Sequence, residues 1–462
     1  MTKDLPNLDQ RFAEAMGQLL GPDFPSDIAL AVSGGGDSMA MLALAHNWTR
    51  VWGVKLWVVT VDHGLRAASA DEAAMVANEC KSLGHPHATL RWHWDGKGNL
   101  QDAARAARLH LINRWRGDLD HVLVAHTQDD LAETFLMRLK RGSGVEGLAA
   151  MRARRVFRSS GDMMPLGTAD CTGDMPPRSD PHHAGGVRSG SSYQILRPCL
   201  SMRRQELRHY NRVLKTPWAD DPSNDDLKYD RVRMRRLLGE LEPQGFGADL
   251  LAETAHRLRR AQEALAQRAR HVWSAIGTEG QTDHAVTGDL LLNRDGLAKI
   301  ERDTQLRLLA AALQWVSSAS YRPREAALEE LLERGLAGGG GTLHGCELRV
   351  EKENLRIFRE EKALTHLAIP LKHQQIWDGR WLISPIGDQP CTLRALGDAG
   401  WQHVAEKKET PIPYHAARSL PSLWQGDKLL ACRALGIGPN HPISLNPFGQ
   451  SGHSFDRFLL SH

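Results

Sequence analysis

"DIALAVSGGGDS", residues 27–38, is an apolar run from Asp27 to Val32 that ends in Ser33-Gly34-Gly35-Gly36-Asp37-Ser38. The run reads as a strand, and three glycines at its end let the backbone approach a ligand closely. The helix that follows brings its positive end to the same place. The stretch therefore reads as an anion cradle, with Ser33 and Ser38 as added hydroxyl donors. It has neither the lysine of a GxxxxGK-Ser/Thr loop nor the spacing of GxGxxG. An Asp inside a phosphate cradle is repulsive unless a cation lies between. Magnesium bridging Asp37 to a polyphosphate resolves the conflict. So does a positively charged substrate beside the phosphate.

Working outward, the chain alternates. A second strand is expected over 55–61, a helix over 69–83, a strand over 87–94, an Ala- and Arg-rich helix over 99–115, the strand "HVLVAH" over 121–126 and a helix over 129–140. Strand, helix, strand, helix with short links predicts an α/β fold with a parallel sheet covered on both faces. The stretch 159–192, rich in Gly, Pro, Ser and Asp, reads as a long loop, either a neutral insertion or a segment that closes over a bound substrate. Its flanks "RRVF" and "YQIL" are expected to pair as strands. A long amphipathic helix over 249–272 reads as a connector. Four regions follow: a Rossmann-like catalytic domain (1–240), a helical linker (241–270), a small α+β middle domain (271–360) and a mostly β terminal domain (361–462).

The chain has 462 residues, a formal net charge of +3 and six scattered cysteines without a CxxC pair. That argues against zinc-knuckle and iron–sulfur patterns and suggests reduced thiols in a cytoplasmic protein. No run of eighteen apolar residues predicts a membrane span. The charge distribution says more than its total. Residues 138–158 carry seven Lys or Arg against one acid, Glu146, and residues 201–240 carry ten against seven. Such local density suits a polyanion.

Other residues read as site candidates. Asp130 and Glu133 are three apart on a helix and share one face, whereas Asp129 points about 100° away, as a cap or toward solvent. His63, Arg66 and His126 follow strands at the carboxyl edge of the sheet, where open sheets bind ligands; the two histidines are candidates for adenosine or phosphate contacts.

SGGGDS after a strand resembles the PP-loop ATP pyrophosphatases. "VTVDHGLR" (59–66), "NLQDAARAARLH" (99–110), "VAHTQDDLAETFLMRLKRGSGVEGLAAM" (124–151), "ILRPCL" (195–200) and "WADDPSNDDLKYDRVRMR" (218–235) narrow the resemblance to the tRNA(Ile)-lysidine synthases. It covers roughly residues 25–240. One departure is visible: where that family commonly reads Arg-Asn-x-x-Arg after a Tyr, here Tyr229 is followed by Asp230-Arg231-Val232-Arg233.

The resemblance implies a ligase that uses ATP and Mg2+. The 2-carbonyl oxygen of the wobble cytidine in a CAU anticodon attacks the α-phosphate, pyrophosphate leaves, and the ε-amine of free L-lysine then displaces AMP. It implies Asp37, Arg105, Asp130 and Glu133 as catalytic, Asp37 as the metal carboxylate, and Arg105 as steadying phosphate. Arg108 is expected at the surface or in helix packing. Arg138, Arg141, Arg154 and Arg155 are expected on RNA backbone, and Arg197, Arg203, Arg231 and Arg235 on a further RNA or phosphate surface. The middle and terminal domains are natural readers of the tRNA stem and acceptor end. A monomer or homodimer is expected, with no membrane or stable protein partner. The rival readings are a tRNA thiolase or other PP-loop adenylating enzyme, and a non-catalytic tRNA-binding protein.

Overall fold

The computed structural model describes residues 7–64, 68–158, 167–177, 192–220, 226–319, 321–387, 390–404, 410, 412–446 and 454–461. Two compact units are present, Met1–Gln262 and Glu263–His462.

The first unit contains α1 (Leu8–Leu20), β1 (Asp27–Ala31), α2 (Gly36–Trp52), β2 (Lys55–Asp62), α3 (Ser69–Leu83), β3 (His87–Trp94), α4 (Leu100–Trp115), β4 (His121–Val124) and α5 (Gln128–Lys140). It continues with α6 (Val145–Leu148), β5 (Arg154–Arg158), β6 (Gly167–Gly173), β7 (Ser192–Leu196), α7 (Arg204–Leu214), α8 (Asp230–Leu241) and the start of α9 (Ala248–Ile276). Seven strands form one sheet in the order β5-β7-β4-β1-β2-β3-β6. The five central strands are parallel, as expected for strands joined through helices.

Side chains on the strands alternate between two cores. Ile28, Leu30, Leu56 and Val58 pack with α1, α2 and Cys80 of α3. Ala29, Trp57 and Val59 face the opposite way, toward Ala103, Ala107 and Leu111 of α4. This is the period-2 geometry of a strand buried on both faces.

Both sheet edges are antiparallel. β5 pairs with β7, as the flanking sequences suggested. The other edge corrects the loop reading of 159–192, because part of that stretch, β6, pairs with β3 from Ala88↔Gly173 to Trp94↔Gly167. An edge strand leaves a row of backbone donors and acceptors open, and β6 satisfies them despite its loop-like composition. Gly173 closes the pairing at φ +107°, where an added Cβ would meet the His87 carbonyl oxygen at 2.4 Å. The rest of the predicted insertion, 159–166 and 178–191, lies outside the described residues.

The sheet order reverses at β1. The chain runs outward through β2 and β3, and β4 returns to the other side of β1. A crevice therefore opens beyond the carboxyl ends of β1 and β4, the position at which open α/β sheets bind ligands. Residues 33–36 follow β1 and residues 125–130 follow β4, so this topology sets the two sequence motifs side by side.

The second unit holds β8 (Gly277–Gln281), β9 (Val286–Asn293), β10 (Gly341–Leu343), β11 (Cys346–Glu351) and β12 (Asn354–Arg359) in a five-stranded sheet packed on helices Arg302–Ser317 and Glu325–Leu336. A three-stranded and a four-stranded sheet follow. Hairpins with Asp-Gly and Gly-Asp turns join Gln375–Trp377 to Trp381–Ile383 and Pro421–Gln425 to Lys428–Ala431. One apolar cluster runs from Ala269 to Leu459.

Candidate functional site

The loop after β1 is held from three directions. Val32 N–H donates to the Val59 carbonyl at 2.9 Å, Ala219 N–H to the Gly34 carbonyl at 2.9 Å, and the buried Asn211 amide to the Gly36 carbonyl at 2.8 Å. Ser38 Oγ donates to the Gly35 carbonyl at 2.9 Å and lies 3.2 Å from Ser33 Oγ. Gly35 is the N-cap of α2, and no side chain caps it. The first N–H groups of α2 thus stand in a fixed frame without a side-chain acceptor, which is what an anion requires.

Gly34 sits at φ +85°. An alanine there meets only ordinary contacts, the nearest 3.5 Å away, so its cost is backbone strain. Gly34→Ala is expected to lose roughly 1–2 kcal/mol of stability and to raise the KM for ATP. Denaturant melts and an ATP titration check both.

Beside this cradle the structure gathers an acid cluster. Asp130 is the third residue of α5 and closes a capping box with Thr127, whose N–H donates to Asp130 Oδ2 at 2.7 Å. Glu133, one turn on, has no exposed surface. Arg204, at the start of α7, joins the cluster to the cradle. Its Nε donates to Asp37 Oδ2 at 3.1 Å, Nη1 to Glu133 Oε1 at 2.9 Å and Nη2 to Asp130 Oδ1 at 2.9 Å. Arg231 of α8 reaches Asp130 at 2.7 Å and Glu133 at 2.8 Å, and Arg235 reaches Glu133 at 2.9 Å.

Burial alone would raise the carboxyl pKa values. At Asp130 and Glu133 it is outweighed by Arg231 and Arg204, and both are held below the usual carboxylate range. At Asp37 burial wins over Arg204, and the carboxyl is raised. Asp37 Oδ1 is buried with no hydrogen-bond partner. A lone oxygen of this kind, next to an anion cradle, fits a magnesium ion. Among the described residues no three His, Cys, Asp or Glu cluster as a metal cage. Such an ion would take one protein carboxylate here and complete its shell with phosphate oxygens and water, the usual habit of Mg2+.

His63 and His126 lie along the same edge. His126 Nδ1 accepts from Arg197 Nε at 3.3 Å. Burial, then Arg197, lowers its pKa to about 4. Burial, then Arg108, does the same for His63, also to about 4. His63 Nδ1 is buried and unpartnered, and Arg108 Nη2 lies 3.4 Å from its Nε2. Arg108 therefore belongs to this edge rather than to helix packing alone. Both rings are neutral at pH 7, so they offer hydrogen bonds rather than charge.

The depressed pKa of His126 has a consequence for stability. The unfolded chain takes up a proton as pH falls from 6.5, whereas the folded ring does so only near 4. Stability is fully present above the unfolded value and drains between the two. From pH 7 to pH 5 this ring alone is expected to cost about 2 kcal/mol. His126→Gln should flatten the pH dependence of the urea midpoint by that amount.

The arginines expected on RNA separate into two groups. Arg141, and likewise Arg105, which is expected at phosphate, are exposed, and neither side chain is hydrogen-bonded or ion-paired among the described residues. Arg154 and Arg155 are exposed on β5, with Arg154 donating to the Leu19 carbonyl. The others have partners within the fold. Arg197 is buried and donates to the Arg152 carbonyl at 2.7 Å. Arg138 donates to the Gly147 carbonyl at 2.7 Å. Arg203 is spent on Glu242 at 2.9 Å and Asp249 at 3.3 Å, and Arg231 and Arg235 face the acids.

Asp129 also departs from expectation. It accepts the Arg204 backbone N–H at 2.7 Å and has little exposed surface. A charge density read along the chain cannot show which guanidiniums find internal acceptors. Arg66, Asp221 and Asn224 lie outside the described residues.

The sequence reading missed Arg204. A usable signal was present: Arg204, Arg208 and Asn211 recur at helical spacing on the same helix that buries Leu207. A polar stripe on a packed helix must find partners.

A family model for the PP-loop domain matches residues 8–242. The tRNA(Ile)-lysidine synthase of Ruegeria pomeroyi is 37% identical over 442 residues, 95% of each chain. That of Wolbachia pipientis wMel is 30% identical over 419 residues, 88% of each chain. That of Anaplasma marginale is 29% identical over 462 residues, 94% of this chain and 90% of that one. With near full-length similarity to these proteins, the chain belongs to the tRNA(Ile)-lysidine synthase family and carries its PP-loop domain at residues 8–242.

Proposed function

We propose that this protein joins L-lysine to C2 of the wobble cytidine in the CAU anticodon of tRNA(Ile), using ATP and passing through an adenylated tRNA. The observation that carries this reading is the meeting of an anion cradle and a carboxylate pair at one switch point, linked by Arg204. An adenylation followed by amine attack needs both features, each preset for its charge.

The α2 N-terminus and residues 33–38 hold the triphosphate. Asp37 faces the cation that accompanies it, and magnesium there would supply positive charge as pyrophosphate departs. Asp130 and Glu133 receive the cationic end of lysine, in place of part of the Arg204, Arg231 and Arg235 contacts. Arg105 steadies phosphate, with the fixed fork of a guanidinium. His63 and His126 contact the nucleotide as neutral hydrogen-bonding rings. Arg141, Arg154 and Arg155 meet RNA backbone, which sets affinity rather than sequence. The second unit reads tRNA features away from the anticodon. The enzyme acts in the cytoplasm as a monomer or homodimer. No helix among the described residues is long and apolar enough to cross a membrane.

A thiolase would need a reactive sulfur. Cys80, Cys346 and Cys432 are buried, and burial pushes each thiol up to about 12. Cys199 is fully buried and also raised. These are inert thiols; Cys391 is buried as well, and Cys171 is exposed on β6, at the sheet edge.

The test is incubation with ATP, magnesium, labelled lysine and unmodified tRNA(Ile) bearing CAU, beside a methionine tRNA with the same anticodon. Label in a modified cytidine of the isoleucine tRNA alone is expected. Pyrophosphate release stimulated by the tRNA, with no incorporation of lysine, would assign the chemistry to another nucleophile. Absence of both signals would favour a non-catalytic RNA binder.

A further inference from the structure

The helix face that carries Asp130 and Glu133 continues along α5 through Met137, Lys140 and Arg141, at helical spacing. Opposite it, α8 presents Asp230 and Met234. These five residues line a cavity of about 100 Å³ between the two helices. Met137 lies one turn beyond Glu133, roughly 6 Å along the helix axis. The cavity is therefore a neighbour of the acid cluster and not part of it.

Its chemistry is divided. Two thioethers form an apolar, adaptable wall, suited to a flat π surface. The rim carries Asp230, whose Oδ1 accepts from Lys140 Nζ at 3.1 Å and from Arg233 Nη2 at 2.5 Å, while its Oδ2 takes no hydrogen bond among the described residues. It also carries Arg141, which is exposed and makes no side-chain hydrogen bond or ion pair among the described residues. An apolar slot with one carboxylate acceptor and an uncommitted guanidinium matches an unstacked nucleobase that bears an amino group and is followed by a phosphate. Sequence-specific contact with single-stranded RNA takes this form.

We propose that the α5–α8 cavity is a nucleobase subsite for the adenine that follows the reacting cytidine in the anticodon. Its ring lies against Met137 and Met234, its amino group donates to Asp230, and its phosphate meets Arg141. The proposal rests on the tRNA reading above, in which the nucleotide next to the wobble cytidine of CAU is an adenosine. It adds a residue-level site for a base that does not react.

The test is a binding cycle that does not depend on turnover. Anticodon stem-loops carrying adenosine or purine riboside (lacking only the amino group) at that position are titrated against the full chain and Asp230→Ala. Loss of one good base contact is worth about a tenfold change in Kd. The wild type is expected to prefer adenosine by about that factor, and Asp230→Ala to show less than a twofold preference. Equal binding by the wild type, or a preference that survives Asp230→Ala, would overturn the proposal. If Asp230→Ala fails to fold, Met137→Trp fills the slot from the opposite wall. It should weaken adenosine binding about tenfold and erase the preference; an unchanged preference would count against the subsite. Lysidine formation on the adenosine RNA is scored separately. Its absence, with the base preference intact, would fault the catalytic reading and leave the subsite standing.

Discussion

Asp37→Asn is expected to abolish tRNA-stimulated pyrophosphate release, by about 10²–10³-fold or more in kcat, while leaving the melting temperature unchanged or slightly higher. The two halves of this expectation have one cause. Asp37 carries a charge in a place that burial makes unfavourable, and its Oδ1 is left without a partner. Asparagine keeps the shape and an oxygen for Arg204 Nε, and it removes the desolvation penalty of the anion. The folded state therefore loses little. On the proposed function, the reaction loses the carboxylate that would face magnesium at the phosphate cradle. A residue retained at an energetic cost to folding is characteristic of a functional position. Pyrophosphate release measured across a magnesium titration checks the first half, and a thermal melt the second. Activity within tenfold of the parent, with an unaltered magnesium dependence, would remove Asp37 from the metal role.

Glu133→Ala is expected to produce the larger structural loss. This carboxylate is fully buried and accepts from Arg204, Arg231 and Arg235. Removing it leaves Arg204 with Asp37 and Asp130, Arg231 with Asp130, and Arg235 without a carboxylate among the described residues. Deleting one partner of a buried ionic network costs up to about 3–5 kcal/mol; here Arg204 stays buried, whereas the partly exposed Arg231 and Arg235 regain water and lower the cost. For a unit of this size that is roughly a 10 °C fall in Tm. Glu133→Gln keeps the volume and one acceptor and should fall less.

The two substitutions also separate the steps of the reaction. In the glutamine variant, lysine incorporation should drop more than pyrophosphate release, since in the proposed reaction the amine reacts in the second step. Equal loss of both steps would instead give Glu133 a purely architectural part. The pH dependence has a defined sign. The folded pKa of Glu133 lies below its ordinary 4.5, so the cluster's stabilisation is present above that value and is lost as pH falls through the folded one. The alanine variant should lack this acid-side loss.

Much of this was written locally in the chain. The strand ending in SGGGDS, the helices after β1 and β4 and the shared face of Asp130 and Glu133 follow from apolar runs, glycine positions and helical period. Each of these acts over a few residues, which is why β3 occupies His87–Trp94 and α3 occupies Ser69–Leu83, the spans expected for them. The order of strands decided the rest. Arg204 is 74 positions from Asp130 and 167 from Asp37, and no local signal pairs them. The pairing exists because β4 returns beside β1 and α7 packs across α2. The same holds for β6, whose composition reads as a loop and whose partner is the open edge of β3. It holds also for Arg197 and Arg203, whose charge resembles an RNA surface in sequence and is consumed by internal acceptors in the fold. Period and turn chemistry are properties of adjacent residues, whereas satisfaction of a charge or a backbone edge is a property of whatever the topology brings within 3 Å.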